Sequence, residues 1–155
     1  MRMFVAVIIV CVILTDQVLA QFPPCPDHQM PASTEARWQQ FFKTHGPIAF
    51  LDSLRKHPRP IFYMYPVRGW VKKGDIPKLL FLLDSSDTCA NVTNVSSSFL
   101  DLNRSTVGRE AAFLIMGFRC NLYPPSFHSN AFVWPRDSIL LWWKQYQADS
   151  ASTKR

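Results

Sequence analysis

A chain of 155 residues with 48% hydrophobic, 14% aromatic and 18% charged side chains can bury one packed core and is not a disordered tail. Its net charge of +6 suits an acidic partner such as a phospholipid headgroup, a glycosaminoglycan or an anionic small molecule. The bases stand in isolated pairs, Arg55-Lys56, Lys72-Lys73 and Lys154-Arg155, with no helical stripe and no nucleic-acid-binding motif, so nucleic acid is not an expected partner.

Residues 1–20 read as a signal peptide. Arg2 precedes an apolar run from Met3 to Leu14, and Val18-Leu19-Ala20 gives the small-residue pattern of a cleavage site before Gln21. The run is far shorter than the roughly 20 residues a membrane span needs, and no later segment qualifies as transmembrane. A secreted, extracellular protein with one domain over 21–155 is therefore expected. Cys11 leaves with the signal, so Cys25, Cys89 and Cys120 remain. An odd number implies one intrachain bridge with a leftover thiol, or an intermolecular disulfide, and all three pairings stay open. Cys25-Pro26-Asp27-His28 has no second half for zinc, so no metal is expected.

Residues 21–34 form a proline-rich lead. A helical turn or a strand fits 35–43 equally, since Trp38, Phe41 and Phe42 obey helical spacing. Pro47 to Leu54 is apolar and reads as a strand, broken by His57-Pro58-Arg59-Pro60. Ile61-Phe62-Tyr63-Met64-Tyr65, aromatic and β-branched between prolines, predicts a strand. A turn-rich stretch holding Gly69 and Gly74 follows, then a second apolar strand over Ile76 to Leu83. Cys89 to Leu102 suits one or two partly exposed strands, Ala111 to Phe118 a buried strand, and Cys120 to Tyr123 the start of another. The best helix is at 138–148, where Ile139, Leu140, Trp142, Trp143 and Tyr146 make an apolar face opposite Lys144, Gln145 and Gln147. Strands followed by one helix, without β-α-β alternation, predict a mainly β protein, a barrel or a sandwich. Three glycosylation tripeptides begin at Asn91, Asn94 and Asn103, and in an exported chain they place 91–105 at the surface.

Catalytic signatures are missing from the sequence. No nucleophile elbow, phosphate loop or metalloprotease helix occurs, and His28, His45, His57 and His128 lack ligand spacing. Glu110 beside Arg109 is the most suggestive carboxylate, with a strand-end ion pair as its ordinary role. Neither enzymatic activity nor a cofactor is expected. Aromatic residues are abundant: 12 Phe, 5 Trp and 4 Tyr. They either fill the core or line a cavity for a lipophilic ligand.

Five segments make the chain resemble the lipocalins, in their α1-acid glycoprotein and apolipoprotein M branch. The start Gln21-Phe22-Pro23-Pro24-Cys25 is similar to that of α1-acid glycoprotein, and Ala36-Arg37-Trp38 sits where the family has Gly-x-Trp. Ile61 to Pro66 resembles the aromatic second strand. Asp87-Thr88-Cys89-Ala90-Asn91-Val92-Thr93 is similar to a strand with a half-cystine ahead of a glycosylated Asn, and Arg109 to Leu114 to a later wall strand. The departures are Ala36 in place of the signature glycine, no cysteine after Cys120, a basic charge, and a length short for eight strands. The resemblance implies a single antiparallel up-and-down β-barrel, complete or lacking a strand or two, with a C-terminal α-helix. It further implies a secreted carrier of a small lipophilic ligand, which the basic charge allows to be anionic. Phe62, Met64, Phe113 and Ile115 would then face the cavity, Trp38 would close the floor, and Arg68 or Arg119 could reach an anionic head. The rival expectation is a secreted, non-enzymatic interaction module that binds a protein or an anionic glycan through its basic surface.

Overall fold

The computed structural model describes residues 42–152. The signal segment, the proline-rich lead, Cys25 and Trp38 lie outside the described residues, and with them the expectations placed there.

Helices dominate. α1 spans Pro47–Lys56, with Pro47 in its first turn and Pro47, Phe50, Leu51 and Leu54 buried along one stripe. That spacing is helical, and His57-Pro58 stops it by forcing extended backbone before the proline. A 3₁₀ turn at Lys73–Asp75 leads into the short helix α2, Ile76–Phe81, whose Ile76 and Leu79 are buried. The central element is α3, Val107–Arg119, started by Thr106, whose side chain accepts from the Arg109 N–H. From Val107 to Gly117 every α3 residue except Arg109 is buried, so it is a core helix covered on all sides. α4, Arg136–Ser152, packs Ile139, Trp142 and Trp143 inward.

The strands are short: β1 Ile61–Met64, β2 Val67–Arg68, β3 Thr88–Cys89, β4 Asn91–Asn94, β5 Ser105–Thr106 and β6 Leu122–Tyr123. They form three two-stranded pairs, parallel β1·β4 and antiparallel β2·β6 and β3·β5. The parallel pair requires a crossover, and the connection between its strands contains α2. β4 is buried along its whole length, because a bridge from Thr93 to His128 covers the side that β1 does not.

This arrangement overturns the mainly β, antiparallel barrel. Among the described residues there is no closed sheet. Pro47–Leu54 and Ala111–Phe118, both expected as strands, are helical, and Ile76–Leu83, expected as a third, is a helix to Phe81 and a turn beyond it. A short run that is apolar at every position has no period, so sequence alone does not separate a buried strand from a buried helix. The strand at 61–65, the extended pair near 122 and the C-terminal helix stand as expected, the last one longer than 138–148 at both ends.

The aromatic residues fill the interior. Phe50 packs edge-on against Trp70 and Tyr123, which lie tilted against each other, at ring separations of 5.2 to 6.1 Å, with Phe113 joining Tyr123 edge-on at 5.6 Å. A second cluster under α4 brings Phe118 within 5.5 Å of Tyr146 and stacks Trp143 on Tyr146 at 5.4 Å. Each such ring buries a large apolar area, and edge-to-face pairing adds about 1 kcal/mol beyond that area.

Candidate functional site

The four residues expected to line a barrel cavity do not converge on one. Met64, Phe113 and Ile115 are fully buried core residues, two of them on α3 and not on a strand. Phe62 is half-buried, and it alone borders open space. Arg68 is exposed and lines a separate cleft with Lys43, Trp70 and Lys72. Arg119 lies at the end of α3, its guanidinium on the Met116 sulfur at 3.6 Å.

Phe62 belongs to a groove of about 470 Å³ along β1, lined by His57, Pro58, Arg59, Pro60, Ile61, Tyr63 and Leu102 besides Phe62 itself. Its wall is the His57–Pro60 turn. The His57 ring donates from Nδ1 to the Arg59 carbonyl at 3.0 Å, and packs edge-on against Phe62 at 5.4 Å. Arg104 donates to the His57 carbonyl at 3.3 Å. The opposite lip is Leu102, 70% exposed. A buried side chain holds that lip in place: Asn91 Nδ2 donates to the carbonyls of Asp101 at 2.8 Å and Asn103 at 2.6 Å. Arg59 is exposed and has no ion-pair partner among the described residues. The groove thus offers aromatic and proline surface beside the exposed Arg59 guanidinium. In the sequence, 57–60 reads only as a chain breaker, and nothing local places Leu102 opposite it.

Glu110 occupies a different environment from the ion pair expected of it. It is fully buried on α3, while its neighbour Arg109 points outward to Asn130 Oδ1 at 3.2 Å. The Ser129 hydroxyl donates to Glu110 Oε1, and the Val92 N–H donates to Ser129 Oγ at 3.0 Å. Burial raises the carboxyl pKa to about 7 against the pull of these donors. The same burial, with the nearby Glu110 charge, holds the Tyr123 hydroxyl well above its ordinary value, and pushes the Cys89 thiol up to about 12. A thiol so raised stays protonated at neutral pH and is a poor nucleophile. The cluster is sealed from solvent and ties α3, β4 and the 129–131 turn together.

Among the described residues no group of three His, Cys, Asp or Glu side chains could hold a metal ion, and no helix is long and apolar enough to cross a membrane. Cys89 is a free buried thiol, which removes it from the bridge candidates and leaves Cys25 and Cys120. Of the three glycosylation tripeptides, Asn91 and Asn94 sit on the buried strand β4 and only Asn103 is exposed. The expectation of a wholly exposed 91–105 is corrected accordingly: alternating polar residues marked a strand whose polar groups are bonded internally.

No protein-family model, no curated protein and no solved structure matches the chain.

Proposed function

We propose that the protein is a non-enzymatic binding module that takes a small amphipathic anion in the β1 groove. The apolar part lies against Phe62, Tyr63, Pro58, Pro60 and Leu102, and the anionic head meets Arg59. One observation carries this reading: an exposed guanidinium with no carboxylate partner among the described residues stands on the rim of an aromatic groove of about 470 Å³, a size within the ordinary range of small-ligand sites. A carrier role survives the loss of the barrel in this form, with an open groove in place of an enclosed cavity.

The test is calorimetric titration of the folded protein with decanoate and with decanol at low and high salt. The expected result is saturable decanoate binding that weakens with salt, is reduced about tenfold by Arg59→Gln, the loss of one charge-assisted contact, and is abolished by Leu102→Asp. No saturable heat from either probe, with an unchanged circular dichroism spectrum, overturns the reading.

A protein partner is the second reading, favoured by one observation: Phe99, Leu100 and Leu102 are all exposed on the same loop.

A further inference from the structure

We propose that Asn103, and neither Asn91 nor Asn94, carries an N-linked glycan in the folded protein. The three tripeptides Asn91-Val92-Thr93, Asn94-Val95-Ser96 and Asn103-Arg104-Ser105 are equivalent as acceptor motifs, and the fold makes them unequal. The inference rests on export of the chain and is independent of what the groove binds.

Burial excludes Asn94 and Asn91, and at Asn91 the chemistry of the amide excludes a sugar a second time. In the transfer, the Asn nitrogen attacks the anomeric carbon of a lipid-diphosphate-linked oligosaccharide. The N–C bond forms, the C–O bond to the diphosphate breaks, the diphosphate leaves with its electron pair, and the nitrogen gives up one proton. A glycosylated Asn therefore keeps one N–H. Asn91 uses both: it donates to the Asp101 carbonyl and to the Asn103 carbonyl, is fully buried, and accepts the Thr93 hydroxyl on Oδ1 at 3.0 Å. A sugar there would remove one of two bonds that seat the 101–103 loop, and would have to be housed in the core. Asn94 is equally buried, its Oδ1 accepting the Ser96 N–H at 2.9 Å under a backbone bond from the Asn94 N–H to the Phe127 carbonyl. Chains modified at either position cannot reach this fold.

Asn103 is exposed and needs one amide hydrogen, for Asp101 Oδ1 at 2.8 Å. Its other hydrogen is replaceable without loss of a bond. Its backbone is also firmly held, since its N–H donates to Asp101 Oδ1 at 2.9 Å and its carbonyl accepts from Asn91 and from Asn130 at 3.1 Å. The acceptor therefore sits on a fixed loop, between Leu102 on the groove lip and Arg104, which donates to the His57 carbonyl of the groove wall.

The full chain would be expressed in a secreting eukaryotic cell, the medium collected, and the sites mapped by enzymatic deglycosylation in heavy-oxygen water, which labels each formerly glycosylated Asn. The expected result is label at Asn103 only, one mobility step on deglycosylation, and loss of that step in Asn103→Gln but not in Ser96→Ala, which deletes the Asn94 motif at an exposed position. Label at Asn91 or Asn94 in secreted protein overturns the proposal, as does secreted protein with no glycan. Chain retained in the cytosol without glycan overturns it at the export premise instead.

Discussion

The Ser129 hydroxyl donates to the Glu110 carboxyl and receives the Val92 N–H at 3.0 Å, so one serine joins the central helix to the buried strand β4. Ser129→Ala leaves the Val92 N–H and the Glu110 oxygen without their partner inside the core. The expected loss is about 1–3 kcal/mol, the cost of orphaned buried polar groups, read as a lower midpoint in urea unfolding.

The same carboxyl makes stability depend on pH. In the folded protein Glu110 protonates at about 7, against 4.5 when unfolded. Between those values the unfolded chain binds fewer protons, so stability falls as pH rises from 4.5 to 7 and levels off above. The fall from this group alone is of order 3 kcal/mol. Glu110→Gln keeps an acceptor for Ser129 and cannot ionise. Its unfolding free energy, measured from pH 4 to pH 8, should decline less steeply than that of the wild type.

Two helix glycines are set by close approach. A Cβ on Gly108 would stand 2.3 Å from the Leu83 carbonyl oxygen, and one on Gly117 would stand 2.8 Å from the Tyr123 ring. Alanine normally favours a helix interior over glycine by about 1 kcal/mol. Here both substitutions should destabilise, by roughly 1–3 kcal/mol for overpacking. Gly108→Ala should be the worse because the obstacle is backbone. Thermal unfolding of the two variants checks both sign and order.

Cys89 should resist thiol reagents in the native protein at pH 8 and react fully in denaturant, since its thiol is buried and pushed up to about 12. Peptide mapping without reduction should then find Cys25 linked to Cys120. A native Cys89 that labels at the denatured rate would show that the interior opens readily.

The elements legible in the sequence share a feature. Ile61–Met64 is bounded by Pro60 and Pro66, and the α4 face pairs apolar with polar residues at helical spacing, so period and boundaries agree. α3 lacks such contrast, because its ends carry the information and its middle does not. Thr106 ahead of Val107 was the available start signal. α1 hid its period behind small and apolar residues between Pro47 and Leu51, although Asp52, Ser53, Arg55 and Lys56 mark its wet face. The groove was illegible for another reason. Its lip and wall are brought together by Asn91 and Arg104 bonding to backbone far away in the chain, and the tripeptide at Asn91 signalled a sugar, not a clamp. Glu110 stands out in the sequence as a carboxylate beside Arg109, but its environment follows from a helix that the sequence does not mark.

The parallel pairing of Ile61 with Asn91 and Met64 with Asn94 has a kinetic consequence. Neither strand can find the other through a tight turn, so the chain between them must be largely in place before the ladder closes. Local helices such as α1 and α4 should gain protection from hydrogen exchange early in refolding, with the β4 amides among the last. A protease acting on the refolding chain would accordingly find its sites around β4 and the 101–103 loop, the stretch that waits longest for its partners.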